Sequence, residues 1–397
     1  MLKMEDVLRS CCAGLDIHQK VIVACIIRSA EGKKRPEKFF GSFDTTTRGL
    51  FDLSDWLTSY EVTHISMEST GVYWKCVWRI LQNHFDLQLA NPRHIKNIPG
   101  KKTDMKDAEW IARLTRLGVV PTSFVPPEPI QELRDLTRYR KHLVEDLNRE
   151  KNRGHMVLQN AGIKLTSVIK DIYGKSGRAL LYALIENIPI TESLILECVY
   201  TTLRRKVPQL LESLEGFMTP HYRKMLALHL TQIECLEKQL VEVEETINDY
   251  LVPYEEYVER LEEIPGINRR TAAVVLAEVG IDMSVFPTSG HLASWAGASP
   301  GNNQSAGKNR SKRVGKGNSY LKKVLAQGAL AVSQGKPNRI QAFFFRVRRN
   351  AGHKKSVVAT VHLLIRIIYR MFSDQSRYNE LGESYLQNRK NTLTNNC

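Results

Sequence analysis

Asp16, Glu68, Asp104 and Asp107 have the side-chain type and setting that metal-assisted chemistry needs. Asp16 sits in Gly14-Leu15-Asp16-Ile17-His18, beside the β-branched run Val21 to Ile27. Glu68 ends the extended stretch Ile65-Ser66-Met67-Glu68. Asp104 and Asp107 are three apart, so on a helix both project from one face. Acids at adjacent strand ends and on one helix face can converge into a pocket. Such a pocket can hold a pair of Mg²⁺ ions about 4 Å apart, clamping a phosphodiester on its attacking and leaving sides. Hard divalent cations take oxygen ligands, which suits Asp and Glu. Each acid also has a structural explanation. Asp104 follows a helix N-cap, where the dipole favours acids, Asp107 has lysines nearby, and an isolated Gly-Leu-Asp is unremarkable. Their joint placement is what points to function.

Ser305 is the candidate nucleophile. It lies in the small-residue stretch Pro300-Gly301-Asn302-Asn303-Gln304-Ser305-Ala306-Gly307-Lys308. Lys308, Arg310, Lys312 and Arg313 follow closely and can hold the phosphate that the hydroxyl would attack. A serine needs a base or a metal to activate it. No acid is near it in sequence, so activation is expected from the N-terminal acids, in a composite site. An ordinary loop serine is the plain alternative, and Ser299 and Ser311 are rivals.

The net charge is +15, and its placement matters more than its size. From Met283 to Ser373 there is no Asp or Glu, while 16 Lys and Arg occur. That leaves 41 of the 57 basic residues against all 42 acidic ones elsewhere. An acid-free basic segment reads as a polyanion-binding domain, because solvated faces normally mix both signs. Lys316, Lys322 and Lys323 belong to the same basic set. No clean amphipathic basic helix is present, which argues against a membrane surface. Val357 to Tyr369 is too short to span a bilayer and contains His362 and Arg366. Met1 to Cys12 is charged and is not a signal peptide. Seven cysteines with no CxxC pair suggest neither a disulfide framework nor a zinc site.

The elements that must position these residues fall into three regions and a tail. Residues 1–127 alternate strand and helix signals, an α/β domain. The strand at Val21–Ile27 is expected to begin near Ala13, interrupted at Asp16–Lys20. Further strands are expected at Lys38–Phe43, His64–Glu68 and Asp86–Ala90. Helices are expected over Thr45–Trp56, after Ser69-Thr70-Gly71, and from the N-cap Thr103 to Leu117. Pro92, Pro99 and Gly100 break the chain before Thr103, and Pro121, Pro126, Pro127 and Pro129 mark a linker. Residues 128–260 are helical; Leu236, Leu240, Val243, Ile247 and Tyr250 follow a coiled-coil spacing, with Leu136, Leu143 and Leu147 as a weaker partner. An ordinary two-helix packing fits equally. Residues 261–375 begin with Ile264-Pro265-Gly266-Ile267 and an apolar helix, a helix-hairpin-helix-like turn in which Gly266 could face a phosphate or simply join two packed helices. Residues 376–397 form a polar tail, expected to be loosely ordered. Trp110, Tyr73 and Phe343-Phe344-Phe345 are read as core rather than base-stacking residues.

From Ala13 to Gln327 the chain resembles the DEDD-type insertion-sequence transposases, the group that includes the Piv invertase and the bridge-RNA-guided serine recombinases. The resemblance rests on GLDIHQ, MESTGVYW, NPRHIKNIPGKKTDMKDAEWIARL, IPGINRRTAAVVLAEVG, FPTSGHLASWAGASPGNNQSAGK and GKGNSYLKKVLAQ. It implies a RuvC-like, RNase H-type N-terminal domain, with Asp16, Glu68, Asp104 and Asp107 holding Mg²⁺. It implies that Ser305 cleaves DNA through a 5′-phosphoserine, although here Ser-Ala-Gly stands where Ser-Gly is usual. It further implies donor and target DNA, a structured guide RNA, dimers assembling to tetramers through the coiled coil, and a cytoplasmic, nucleoid-associated protein. The competing readings are a metal-only junction resolvase and a non-enzymatic nucleic-acid-binding relative.

Overall fold

The computed structural model describes residues 8–29, 35–69, 71–91, 103–120, 122–299, 303–305, 308–311, 314–315 and 317–382, with Thr201 and 303–311 described by backbone alone. Pro92, Pro99, Gly100, Pro121, Thr70 and the tail beyond 382 lie outside these. The chain divides into two compact units, Met1–Val125 and Pro126–Cys397. The boundary expected near residue 260 falls inside the second.

In the first unit, β1 (Cys11–Ile17), β2 (Val21–Arg28), β3 (Glu37–Asp44), β4 (His64–Glu68) and β5 (Asp86–Ala90) form a five-stranded sheet in the order β3-β2-β1-β4-β5. β1, β2 and β3 are antiparallel neighbours, whereas β4 runs parallel to both β1 and β5. The stretch Asp16–Lys20, expected to interrupt one strand, instead ends β1 and turns it into β2, with His18 N donating to Val21 O at 2.9 Å. Helices α1 (Thr47–Ser59), α2 (Trp74–Leu81) and α3 (Asp104–Leu117) follow the expected positions closely.

Strand alternation sorts β1 into two faces. Cys11, Ala13, Leu15 and Ile17 join Leu50, Leu53, Leu57, Val77 and Leu81 in the core beneath α1 and α2. Each fully buried leucine there contributes about 1.5–3 kcal/mol. Cys12, Gly14 and Asp16 take the other face, under α3. Burial pushes the Cys12 and Cys25 thiols up to about 12, so both behave as small apolar residues. All six cysteines among the described residues are unpaired.

Among its described residues, the second unit is helical apart from one short ribbon. Two long helices, α4 (Glu128–Asn160) and α8 (Pro220–Leu251), run antiparallel. Tyr250 Oη donates to Glu132, Arg140 pairs with Glu244, and His229 meets Glu150 at 2.6 Å. Leu143, Leu236 and Ile247 are buried at their contact, whereas Leu136, Leu147, Leu240, Val243 and Tyr250 are only partly so. Between them lie α5 (Lys175–Ile185), α6 (Glu192–Cys198) and α7 (Val207–Leu214), whose apolar residues join the ends of α4 and α8 in one core. Because α4 starts at Glu128, with Pro129 in its first turn, the expected proline linker is shorter than its prolines suggested.

The chain continues through α9 (Glu255–Glu262), α10 (Arg269–Val279), α11 (Ser289–Trp295), the ribbon β6 (Asn303–Ser305) and β7 (Lys308–Ser311), then α12 (Ser319–Gln334), α13 (Arg339–Ala351) and α14 (His353–Ser373). α14 has the length and composition of a membrane span. Its Val361, Leu364, Ile365 and Ile368 are buried, as a core helix requires. The tail expected to be loose is anchored as far as Gly382: Glu263 binds Arg377 and the Tyr378 amide, and Glu380 accepts from Arg339 N and Tyr378 Oη.

Candidate acidic metal centre and basic helical unit

α3 is built to start beside the end of β1. Thr103 caps it, its hydroxyl accepting from Lys106 N at 3.4 Å, and Gly118 ends it at φ +68°. Asp104 and Asp107 occupy the first turn, where the helix dipole favours anions. Ala108 and Ala112, one turn apart, face Gly14. A Cβ on Gly14 would lie 2.3 Å from Ala112 N and 2.4 Å from Ala108 O, so only glycine lets helix and strand backbones come this close. Asp104 is four residues before Ala108 on the helix, about 6 Å. Asp16 is two strand residues beyond Gly14, about 6.7 Å. The two carboxylates therefore meet at the same level.

The resulting site is crowded with negative charge. Asp16 is buried, and its carboxyl is raised above the usual range by burial, partly offset by His18. Asp107, Asp104 and Glu68 each push it higher through their charge, so all four predicted acids act on one point. Glu68 belongs here because β4 pairs in parallel with β1, Gly14 opposite Ser66, and Glu68 follows Ser66 on the same face. One residue was not anticipated. His18 Nε2 lies 3.2 Å from Asp16 Oδ2 and 3.6 Å from Asp104 Oδ1. Ligand atoms of Asp16, His18 and Asp104 all fall within 4.8 Å of one another, close enough to share a cation. The signal was present: His18 is two residues past Asp16, and continuing the strand's alternation puts it on Asp16's side. The donor set, mainly carboxylate oxygen grouped around a buried Asp16, fits a divalent cation.

In the second unit, Ser305 is the last residue of β6 and pairs with Lys308 of β7. The stretch expected as a loop is thus a short antiparallel ribbon. The side chains of Ser305, Lys308, Arg310 and Ser311 are not described, and Lys312, Arg313 and Lys316 lie outside the described residues. Of the rivals, Ser299 Oγ lies 3.5 Å from His362 Nδ1, whose pKa is lowered by burial and by Arg366. Gly266 adopts φ +85°, and a Cβ there would lie 2.4 Å from Gly328 O on α12. Packing alone therefore requires this glycine. Lys322 donates to Gly297 O at 3.3 Å, bracing the turn after α11, while Lys323 is exposed.

The exposed cations gather elsewhere in the acid-free segment. Arg346, Arg348 and Arg349 in the second half of α13 and Lys354 and Lys355 in the first turn of α14 are exposed, and form no ion pair among the described residues. Arg346 lies over the Phe343 ring at 5.3 Å. The aromatic residues expected in the core divide: Phe344 is fully buried, Trp110 is partly buried, and Phe345 and Tyr73 are exposed. Phe345 lies one residue past Phe344 on α13, and the helical period turns its ring off the buried face.

Comparison with known proteins agrees at both ends of the chain. The DEDD transposase model of the IS110 type matches residues 13–163, and the model of the transposase IS116/IS110/IS902 family matches residues 258–344. The pilin gene-inverting protein of Moraxella bovis is 24% identical over 370 residues, covering 90% of this chain and 94% of that protein. A probable family 20 transposase of Pseudomonas aeruginosa is 27% identical over 285 residues, 70% of this chain and 73% of that one. The transposase for insertion sequence element IS1111A of Coxiella burnetii is 24% identical over 304 residues, 73% and 72% of the two chains. With both models on the chain and relatives that align along most of it, the protein belongs to the IS110 family of transposases.

Proposed function

We propose that the protein cuts and rejoins DNA with Ser305 as nucleophile and Mg²⁺ held by Asp16, Glu68, Asp104 and Asp107, directed by a structured guide RNA. The observation that carries this reading is the convergence of three further carboxylates, those of Asp107, Asp104 and Glu68, on the buried Asp16. The sheet order β3-β2-β1-β4-β5, with its antiparallel and parallel halves, supports a RuvC-like, RNase H-type domain.

The covalent step conserves bond energy. The Ser305 hydroxyl gives up its proton and its oxygen bonds the phosphorus, while the bond from phosphorus to the 3′ oxygen breaks and that oxygen takes up a proton. A 5′-phosphoserine and a free 3′ hydroxyl result. Attack by another 3′ hydroxyl reverses the step and releases the serine, so rejoining needs no external energy source. Bound Mg²⁺ supplies charge neutralisation and Lewis acidity at the phosphate. The chain's own carboxylates orient the site, and the acid-free basic segment attracts the polyanion. That segment suits donor DNA, target DNA and RNA alike, with base pairing to the RNA carrying sequence information. The proposal includes dimers and tetramers assembled through α4 and α8.

Covalent trapping tests it. Full-length protein, Mg²⁺, donor and target DNA, with and without RNA transcribed from the element's flanks, are resolved on a denaturing gel beside Ser305→Ala. A DNA-linked protein band that needs the RNA and vanishes in the variant is expected. Cleavage without an adduct, equal in the variant, would transfer the reading to a metal-only nuclease. An adduct formed equally well without RNA would remove the guide.

A further inference from the structure

We infer that His18 is a direct ligand of the cation at the acidic centre, and that it makes the site prefer Mn²⁺ or Co²⁺ over Mg²⁺. This rests on the metal site proposed above and adds its donor chemistry. Three observations carry it. His18 stands where β1 ends, on the face of Gly14 and Asp16. Its Nε2 bridges the carboxylates of Asp16 and Asp104, at 3.2 and 3.6 Å. These donor atoms lie within 4.8 Å of one another. Donors bound at about 2.1 Å on opposite sides of one ion are about 4.2 Å apart. Sub-ångström side-chain shifts therefore bring all three onto a single cation.

The consequence follows from ligand preference. Mg²⁺ takes oxygen donors, keeps several waters and gains little from an imidazole. Affinity for nitrogen donors rises along the first transition series from Mn²⁺ to Co²⁺ and beyond. A purely carboxylate site discriminates weakly between Mg²⁺ and Mn²⁺, whereas one imidazole in the first coordination sphere tilts it. His18 could instead serve only as a counter-charge to Asp16 and Asp104. The two roles give opposite signs. Removing a counter-charge leaves a more negative pocket that binds every divalent cation more tightly. Removing a ligand weakens the nitrogen-preferring ions selectively.

Titration of the full-length protein with Mg²⁺, Mn²⁺ and Co²⁺ by calorimetry separates them, using wild type, His18→Ala and His18→Asn. His18 is half-exposed, so both variants are expected to fold, with the circular dichroism of wild type as the check. The inference expects Mn²⁺ and Co²⁺ affinity to fall at least about tenfold in both variants. Mg²⁺ affinity is expected to stay within about a factor of two. Nitrogen modulation in the electron spin echo of the Mn²⁺ complex should be present in wild type and lost in His18→Ala. Tighter binding of all three ions, or an equal loss of all three, would overturn the ligand role while leaving the acidic site standing. Wild-type protein that binds none of the ions, behaving like Asp104→Ala, would overturn the metal site itself.

Discussion

Two buried carboxylates, one in each unit, show how differently the fold treats a negative charge. Glu278 at the end of α10 is fully buried and fully matched. Arg138 binds it through two hydrogen bonds of 2.8 Å, Asn318 donates to it at 2.6 Å, and Arg134 lies 3.5 Å away. Arg134 also donates to the carbonyls of Ala277 and Glu278, which the helix end leaves open. Asp16 is nearly as buried, yet its strongest neighbours are one half-exposed imidazole and three more carboxylates. A buried charge with every partner supplied holds helices together. A buried charge surrounded by its own sign is a cost that the fold carries, and one that a bound cation would relieve.

The contrast can be broken most severely at Glu278. Glu278→Ala strands two arginines against a buried helix end and should cost about 3–5 kcal/mol. Chemical denaturation monitored by circular dichroism reads this, and a loss below about 1 kcal/mol would mean that the arginines find water instead. Gly14→Ala comes next. Its methyl would strike the α3 backbone, costing about 1–3 kcal/mol. It should also lift Asp104 away from Asp16, so metal affinity should fall beyond what the stability loss explains. Calorimetry on the folded variant tests that, and unchanged affinity would show that α3 need not sit tightly on β1.

Asp16→Asn should have the smallest effect and the opposite sign. In EDTA it should stabilise the protein by about 1 kcal/mol while abolishing strand cleavage. The pH dependence sharpens it. The folded carboxyl is raised, so the folded chain holds the proton more tightly than the unfolded one. Protonation of Asp16 therefore contributes stability below the ordinary value of 3.8, and this is lost as pH rises through the folded value. Glu244 runs the other way. Burial raises it, but Arg140 and Arg270 together outweigh burial and hold it below its ordinary 4.5. Its contribution is present above 4.5 and is lost as pH falls through the folded value. Thermal midpoints across the acid range should diverge from wild type in opposite directions for Asp16→Asn and Glu244→Gln. Parallel curves would place both carboxylates in equivalent surroundings.

The alternation of apolar residues located β4, β5 and α3 almost to the residue, because strand and helix periods are local properties. Thr103 was legible for the same reason, as caps act within one turn. The carboxylates stood out by type, and the acid-free stretch 283–373 by composition. Other features came only from contacts between distant residues. The hairpin at His18–Lys20 was misread because polar residues ending one strand look like a break within it. Gly14 reads as part of a motif, and its steric role depends on α3, ninety-odd residues on. Lys322 and Arg349 are equally basic letters, yet one braces a turn and the other faces solvent.

Residue chemistry and local periodicity therefore determined the elements, the acids and the charge of this protein. Tertiary structure alone decided that His18 joins the acids, that Glu278 is matched and Asp16 is not, and which cations stay free. The reason is physical: electrostatic energy depends on distance and burial in three dimensions, and sequence spacing fixes these only within a single element.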